Sequence, residues 1–364
     1  MGGLSRLAAL GSISLALAGG CSEELYEPNV LFFGEWIYID GRDRSPEETC
    51  GGTFAYVDAY AGALAAEFGV SEQLGAYRWY SRDEYDAELP CSEVSACAFV
   101  EERIAHTPLL PHEHEIVHLA EIGAVGGACP SVLAEGLAEF YSAYSRDTKA
   151  DDFELLVGRM AQPSGLAYEE YGILGRFAAY LVARFGLEGV LEVCRTTGRY
   201  PSGAQLSAAL ESVLGASTDE LLADFEPELG ACNEGERYRW RVFGCGVGEA
   251  APDLGRVSQD REHTIDTTFT LDCANEVTIG PLGGKIWAAG RFDVDDEGVY
   301  TLWIPESAAD NPEVELRIVE CEPCGRPQYG YIGDLGSIRL DAGRHSIELH
   351  APADFRGDVR VTID

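Results

Sequence analysis

Apolar and polar residues alternate in two different ways along the chain. Up to about residue 230, apolar positions recur every three or four residues, which is the spacing of helices that bury one face. Aromatic and β-branched runs at 28–40, 76–80 and 99–105 predict strands. The predicted helices cover residues 54–68, 111–123, 131–146, 152–160, 170–185, 187–195 and 217–225. This part of the chain is therefore expected to mix helices with strands.

Beyond residue 231 the pattern changes to a period of two. Stretches such as TFTLDC, VELRIVEC and DVRVTID alternate apolar with polar residues, and Gly, Pro, Asp and Asn separate them. Several short strands about ten residues apart, without helical spacing between them, are typical of a β sandwich. The chain is therefore predicted to hold an α+β domain at 22–230 and an all-β sandwich domain at 231–364.

Composition narrows the range of partners. The 364 residues include 62 acidic and 26 basic ones, which gives a formal net charge of −36. This charge argues against nucleic acid as a partner, because phosphate backbones require Lys and Arg patches, and it disfavours anionic membrane surfaces for the same reason. The sequence leaves the oligomeric state open.

The first 21 residues, MGGLSRLAALGSISLALAGGC, predict an export signal. A single Arg precedes an apolar run that is too short and too rich in small residues for a stable membrane span. The segment resembles a bacterial lipoprotein signal, in which cleavage before Cys21 would leave that cysteine as the lipid-bearing first residue. Membrane attachment through a lipid on Cys21 and ordinary secretion are both open, and both place the protein outside the cytoplasm.

Ten cysteines remain beyond Cys21, an even number that fits a compartment in which disulfides persist. Five disulfides are expected, although their pairing does not follow from the sequence. Cys321 and Cys324 have the C-x-x-C spacing of redox and zinc sites. Because the chain has no second C-x-x-C, we expect a structural disulfide role for these two residues.

The stretch HEHEIVH carries the candidate chemistry. On a helix, side chains four positions apart share a face, so His114 and His118 can converge while His112 lies on the far side. The register that begins at His114 reads H-E-x-x-H, and Ile116 excludes the register that begins at His112. Two imidazoles in this motif bind zinc, and the intervening Glu, here Glu115, activates water as a general base.

A stretch on the next predicted helix adds to this motif. Together, HEIVH and the later LAEGLAEF resemble the gluzincin metallopeptidases, whose third zinc ligand is a Glu on the helix after H-E-x-x-H. The resemblance implies a zincin-like catalytic fold in which His114, His118 and Glu135 bind Zn²⁺. It also makes Glu115 the general base. Glu139, one turn beyond Glu135, is interpreted either as a carboxylate that orients a ligand histidine or as a solvated surface residue.

The resemblance extends to a later helix, with two departures. Residues 171–181, YGILGRFAAYL, are similar to the gluzincin helix whose leading tyrosine donates to the oxyanion. Tyr171 is therefore the candidate donor, and a half-buried packing tyrosine is the alternative. The turn between the zinc-binding stretches is shorter than in better-known branches and contains Cys129, so we expect a disulfide there. No G-x-M-E-N motif precedes the zinc helix, which argues against exopeptidase activity.

Two functions fit these residues. The first is an exported zinc metallopeptidase, acting as an endopeptidase on peptides or proteins, with the substrate added as a strand to a sheet edge at 99–105. The second is a catalytically inactive, surface-anchored lipoprotein that acts as a binding or structural module. Retention of Glu115 together with the ligands favours the enzyme, because an inactive scaffold has no chemical need for a base.

The other histidines and one acidic turn receive structural interpretations. His106 and His112 are expected at the surface or at the rim of the substrate site, and His263, His345 and His350 at the surface of the β domain. The acidic turn at 293–297 could hold calcium, but a solvated hairpin loop is the preferred interpretation.

Overall fold

The computed structural model describes residues 28–89, 96–142, 152–164, 166, 168–228, 244–245, 251–304, 314–321, 328–331 and 335–364. The predicted export signal, Cys21 and the predicted domain boundary at 230–231 lie outside these ranges. Among the described residues, no helix is both long and apolar enough to span a membrane. The described chain combines α-helices with several β-sheets, so the coarse expectation of mixed α and β structure is confirmed.

Helices occupy much of the described chain between residues 53 and 228. They are α1 (Thr53–Phe68), α2 (Arg82–Glu88), α3 (Glu113–Val125), α4 (Ser131–Tyr141), α5 (Asp152–Ala161), α6 (Tyr171–Thr197), α7 (Gly203–Leu214) and α8 (Thr218–Glu228). Gly69, left-handed at φ 70°, ends α1 at the predicted position. Ser217 accepts the backbone N–H of Glu220 before α8, as its capping-box sequence predicts.

Some helix predictions need correction. The helix α3 does not end at Gly123, because Gly126, at φ 71°, supplies the left-handed residue that ends it. The helices predicted at 170–185 and 187–195 form one segment, α6, which is interrupted at Gly186 with φ 75° and ψ 157°. Apolar spacing did not predict α2 or α7, and α2 has only seven residues, too few for a periodic signal.

A five-stranded sheet accompanies these helices in the described chain. Its strands are β1 (Val30–Phe33), β2 (Ile37–Asp40), β3 (Gly75–Trp79), β4 (Cys97–Phe99) and β5 (Ile104–Thr107). They lie in the order β1-β2-β3-β5-β4, with parallel pairs β2–β3 and β3–β5 and antiparallel pairs β1–β2 and β4–β5. The strand β4 therefore forms one edge of this sheet.

Two strand predictions each correspond to a hairpin. The run at 28–40 contains β1 and β2, and the run at 99–105 joins the end of β4 to the start of β5. In the first hairpin, the carboxylate of Asp58 on α1 accepts the backbone N–H of Trp36 at 2.8 Å and so holds the turn. That partner lies 22 residues away along the chain, where a local strand pattern does not detect it.

Two further sheets follow in the C-terminal part of the described chain. Their strands are β6 (Asp253–Val257), β7 (Ile265–Leu271), β8 (Ile279–Leu282), β9 (Lys285–Val294), β10 (Gly298–Trp303), β11 (Glu315–Glu320), β12 (Gln328–Tyr331), β13 (Leu335–Leu340), β14 (Gly343–Pro352) and β15 (Gly357–Ile363). One sheet has the order β13-β10-β15-β7, and the other has β12-β11-β14-β9-β6 with β8 beside β9. Both sheets contribute to one buried apolar cluster that includes Tyr300 and Ile347, which accounts for the period of two.

The helical part and the C-terminal sheets are joined directly. Cys50, just before α1, forms a disulfide with Cys273, just after β7. On α1, the ring of Tyr56 meets the ring of Trp287 edge to face, with centroids 6.1 Å apart. Trp287 on β9 also belongs to the buried cluster formed mainly by the helices and the five-stranded sheet. The two regions that the sequence pattern predicts as separate domains therefore pack against each other through buried side chains.

Disulfides give the first indication of the protein's environment. The described pairs are Cys50–Cys273, Cys129–Cys194 and Cys245–Cys321. Cys129 is paired as expected for the turn between α3 and α4. Cys321 has a structural disulfide, but its partner is Cys245 and not Cys324, which lies outside the described residues. Disulfides of this kind persist in oxidising compartments such as the extracellular space.

Candidate metal centre

A cavity of about 340 Å³ lies where α3, α4 and the start of α6 meet the edge strand β4. Its lining includes His114, Glu115, His118, Glu135 and Tyr171. These are the five residues that the sequence predicts as metal ligands or catalytic groups. The structure therefore brings all of them to one cavity, while the roles assigned to them stay predictions.

The helix α3 places the two imidazoles beside each other. His114 and His118 are one turn apart, and their rings meet edge to face with centroids 4.9 Å apart. Both side chains are largely buried. At the start of α3, Glu113 accepts a hydrogen bond from the hydroxyl of Tyr56 at 2.9 Å, which anchors the helix to α1.

Two glycines allow α4 and α6 to approach closely at the cavity. A Cβ atom on Gly136 would lie 2.8 Å from the carbonyl oxygen of Leu174, and one on Gly175 would lie 2.8 Å from the Cγ of Glu139. Either methyl group would push the helices apart. The glycine in LAEGLAEF is thus part of what holds α4, and with it Glu135, at the cavity wall.

Glu135 completes a cluster of three candidate ligands. Its Oε2 lies 3.0 Å from His114 Nε2 and 3.6 Å from His118 Nε2. Ligand atoms around a tetrahedral zinc ion are about 3.4 Å apart, given bonds of about 2.0–2.1 Å, so these separations fit a single ion. Ligand atoms of His114, Glu115 and His118 also lie within 4.8 Å of one another. Because Glu135 contacts both rings, it fits the third ligand position better than Glu115 does.

The charges at this cluster are strongly coupled. Burial alone lowers the pKa of His118, but the carboxylates of Glu135, Glu121 and Glu115 raise that pKa well above its usual value. Burial alone raises the pKa of Glu135, but the imidazoles of His118 and His114 hold it well below its usual range. Several carboxylates around two imidazoles form a site that favours a cation.

Two buried carboxylates face the outer nitrogens of the imidazoles. Glu139 Oε2 lies 3.9 Å from His114 Nδ1, and Glu121 Oε2 lies 3.5 Å from His118 Nδ1. Glu139 is 2% exposed and Glu121 is 1% exposed. The interpretation of Glu139 as a solvated surface residue is therefore wrong. Carboxylates in such positions fix the ring orientation and the tautomer of metal-binding histidines.

Sequence reasoning missed Glu121. Its Oε1 accepts the backbone N–H of Cys129 at 2.7 Å, and Cys129 is disulfide-bonded to Cys194 on α6. Glu121 thus connects the disulfide-held turn to the second imidazole of the cluster. The available signal was its spacing, because a residue three positions after His118 lies on the same face of α3.

Tyr171 lies at the first position of α6, beside the cluster. Its ring is nearly parallel to that of His114, with centroids 5.8 Å apart and 7° between the planes. The side chain is half-buried and lines the cavity. Both interpretations of Tyr171 are compatible with this position, since the ring packs on a candidate ligand and also borders the space that a substrate would enter.

His106 is 2% exposed and does not line the cavity, so the prediction of a surface or rim position was wrong for it. His112 is 5% exposed, which rules out the surface but not the rim of the substrate site. His112 lines the cavity and hydrogen-bonds the hydroxyl of Thr107 at 3.1 Å. His106 lies on β5 and hydrogen-bonds the hydroxyl of Tyr80 at 2.7 Å. Burial lowers the pKa of His112 to about 3 and that of His106 to about 4.

The histidines of the C-terminal sheets lie away from the cavity lining. His345 and His350 are buried, contrary to prediction, because their rings stack on aromatic neighbours of β9. His263 is exposed as expected and contacts Asp295 at 3.0 Å. Asp295 also pairs with Arg256. The acidic turn around it connects β9 to β10, but these strands belong to different sheets, so the prediction of a hairpin loop was wrong.

No family model matches the chain, and no curated protein matches it. An isomalto-dextranase of Arthrobacter globiformis T6 shares 14% identity over 24% of this chain and 17% of its own, with a TM-score of 0.17. A β-glucosidase from Paenibacillus barengoltzii shares 16% identity over 43% of this chain and 18% of its own, with a TM-score of 0.17. The enzyme FeII HppE shares 15% identity over 43% of this chain and 88% of its own, with a TM-score of 0.13. The chain thus spans less than a fifth of the length of the first two, and scores this low support no inference about its fold.

Proposed function

We propose that this protein is an exported zinc-dependent metallopeptidase of the gluzincin type. In this proposal the helices and the five-stranded sheet form a zincin-like catalytic domain, and the two C-terminal sheets form an appended β sandwich. One observation carries it: His114 Nε2, His118 Nε2 and Glu135 Oε2 converge at the wall of a cavity that also holds Glu115. The two imidazoles, the carboxylate and the adjacent base are the groups that H-E-x-x-H peptidases use.

His114, His118 and Glu135 would hold the zinc ion. Zinc bound there would supply a Lewis acid that polarises the scissile carbonyl and makes water a better nucleophile at neutral pH. Glu139 and Glu121 would accept the Nδ1 protons of the two histidines. Each Nε2 would then be the nitrogen left for the metal, and the second proton that the raised pKa keeps on His118 would leave on binding.

Glu115 would accept the proton of the attacking water. Its side chain is buried and lines the same cavity as the candidate ligands. Burial raises the pKa of Glu115, although the imidazoles of His118 and His114 oppose this shift. A raised carboxyl pKa suits a group that takes a proton from water and later gives it to the leaving amine.

Tyr171 would donate a hydrogen bond to the oxyanion that forms when water adds to the carbonyl. Its ring lies beside His114 at the cavity wall, and its hydroxyl is the type of donor that such sites use. A tyrosine that only packs against His114 would contribute to metal binding but not to the rate of the chemical step.

A peptide substrate would pair with β4. This strand is the last one in the described sheet order, and Cys97 and Ala98 on it line the cavity. The predicted edge at 99–105 needs correction, because residues 104–105 belong to β5, which lies between β3 and β4, and the edge strand β4 ends at Phe99. Addition of an extended peptide to a sheet edge fixes the peptide backbone through main-chain hydrogen bonds, which holds one carbonyl over the cluster.

Export is part of the proposal. The described disulfides fit an oxidising compartment outside the cytoplasm. Whether the mature protein is lipidated at Cys21 or secreted follows from the mass of its first residue, which mass spectrometry of protein from the native envelope would measure. A diacylated or triacylated cysteine is the result expected for a lipoprotein.

The test of the proposed function combines metal content with hydrolysis of a mixed peptide library, using protein with its disulfides intact. We expect about one zinc per chain and cleavage of internal peptide bonds, both lost on chelation and restored by zinc. Protein that carries zinc but cleaves nothing would support the binding or structural lipoprotein instead. Protein that binds no zinc would contradict the metal centre itself.

A further inference from the structure

We propose that the cavity selects substrates that carry a carboxylate close to the scissile bond, and that Arg199 binds this carboxylate. The inference rests on the proposed peptidase function and names the class of peptide on which it acts. It is carried by the position of Arg199, which lines the same cavity as His114, His118 and Glu135.

The break in α6 brings Arg199 to this position. A straight helix of 27 residues would be about 40 Å long. Tyr171, at its start, and Arg199, two residues beyond its end, nevertheless line one cavity. The chain therefore reverses at Gly186, where the backbone leaves the helical region, and the Cys129–Cys194 disulfide holds the returning half against the cavity wall.

Arg199 differs from the other arginine near the end of α6. Arg195 is held by Glu188 and Glu192 and donates to the carbonyl of Ala124. Arg199 is exposed, and its guanidinium lies over the ring of Tyr200, 5.1 Å from the ring centroid. Among the described residues, no carboxylate lies within salt-bridge distance of it. The chain has 62 acidic and 26 basic residues, so a guanidinium that lines a cavity and pairs with no carboxylate of the described residues is unusual here and is available to a ligand.

The other charged residues of the cavity indicate that Arg199 would bind an anionic group of a ligand. The other charged groups of the lining are carboxylates, Glu115, Glu121 and Glu135, and imidazoles that the proposal assigns to the metal. A planar guanidinium binds a carboxylate through two parallel hydrogen bonds, a geometry that neutral side chains do not match. Because Arg199 and the cluster line the same cavity, a bound peptide can place a carboxylate at Arg199 and its scissile bond at the cluster.

The carboxylate can belong to an Asp or Glu side chain or to the C-terminus of the peptide, and substrate pairs distinguish these sources. One series would be acetylated and amidated hexapeptides, built on a library sequence that is cleaved or, if none is cleaved, on one that binds, with Asp exchanged for Asn at each position. The other would compare a free C-terminal acid with its amide in an otherwise neutral peptide. For each pair, the ratio of kcat/KM between the acidic and the neutral member is measured.

We expect the wild-type protein to prefer the acidic member of at least one pair by about 5- to 20-fold, and this preference to shrink as salt screens the exposed guanidinium. Arg199→Gln should abolish the preference. Arg199→Lys should retain part of it, because the charge stays while the two-bond geometry is lost. Arg195→Gln is the matched control, since it removes the same charge four residues earlier in the chain and should leave the ratio unchanged.

Binding of the same peptides to the zinc-loaded protein, measured by competition against a fluorescent peptide, separates this inference from the proposed function. Wild type that shows no acid preference in binding or cleavage, or Arg199→Gln that keeps the full preference, would overturn the role of Arg199. Acid preference in binding that depends on Arg199, without any cleavage, would support carboxylate recognition and contradict the peptidase.

Discussion

Two parts of this molecule bury histidine beside glutamate, and their surroundings differ. At the cavity, His114 and His118 on α3 meet Glu135 of α4, and further carboxylates stand behind each ring. On β14, His350 and Glu348 hydrogen-bond each other, and the ring of Trp287 stacks on His350 with centroids 5.9 Å apart. Neither residue of the β14 pair lines the cavity.

The two groups differ in how many ligand atoms converge and in whether a ligand can reach them. In the β14 pair, one imidazole nitrogen meets one carboxylate, and the aromatic neighbour covers the ring. At the cavity, imidazole nitrogens of α3 and a carboxylate oxygen of α4 lie close together at the wall of an open space that a ligand can enter. A buried His–Glu contact is thus poor evidence for a metal site unless several ligand atoms converge beside open space.

The largest expected effect comes from removing a ligand. His114→Ala or His118→Ala should weaken zinc binding by more than about 100-fold, beyond what loss of a supporting residue costs. Competition with a chromophoric chelator measures this affinity. His350→Ala is the control from β14 and should bind zinc like wild type once its folding has been checked by circular dichroism. Equal losses in the cavity and β14 variants would remove the distinction between the two sites.

Tyr171→Phe tests whether Tyr171 at the cavity acts in catalysis or only packs on His114. If the hydroxyl donates to the oxyanion, kcat should fall by about 10²–10³-fold while zinc affinity stays close to that of wild type, because the ring still packs on His114. Steady-state kinetics on a peptide from the library provide the measurement. An unchanged kcat would assign Tyr171 to packing alone.

The carboxylates behind the rings should have a smaller effect. Glu121→Gln and Glu139→Gln keep the shape of each side chain but weaken its hold on the Nδ1 proton, and each should lower zinc affinity by about 10- to 100-fold. Glu348→Gln on β14 is the matched change in the other His–Glu group and should leave zinc affinity unaltered. If Glu121→Gln binds zinc as tightly as wild type does, its contact with His118 has no functional weight.

His106 on β5, a buried histidine outside both groups, should affect stability alone. Burial, together with Arg78 and Arg42, lowers its pKa to about 4, whereas an unfolded histidine has a pKa of about 6.5. The folded state therefore binds fewer protons between these values, so stability is complete above about pH 6.5 and falls as the pH drops toward 4. At pH 5 the loss should be about 1–2 kcal/mol.

Urea unfolding at pH 7 and pH 5 measures this effect. His106→Asn should flatten the dependence on pH, and the same change at the exposed His263 should not. An identical pH dependence in wild type and His106→Asn would contradict the assigned cause.

Sequence reasoning placed the cavity residues of a single helix well, and placed the residues that other helices bring to the cavity less well. His114, Glu115 and His118 follow from spacing on one helix. Glu135 required the resemblance to a family, because its contact with the imidazoles depends on how α4 packs on α3 and α6. Glu121 carried a local signal, its position three residues after His118, that went unused.

The contacts between the helices and the C-terminal sheets could not be predicted from periodicity. The Cys50–Cys273 disulfide joins residues 223 positions apart, and the ring contact of Tyr56 with Trp287 joins residues that are even farther apart in the chain. Apolar spacing reports which face of an element is buried and is silent on what covers that face. The same limit explains the burial of His345 and His350, which was missed.

The most direct test of the central claim is Glu115→Gln, a near-isosteric change at the residue between the two imidazoles. The variant should bind about one zinc per chain with wild-type affinity, since His114, His118 and Glu135 remain. Its kcat on a library peptide should fall by about 10²–10⁴-fold, because the group that takes the proton from water is lost. Zinc-loaded Glu115→Gln that cleaves the same peptide as fast as wild type would contradict the catalytic assignment.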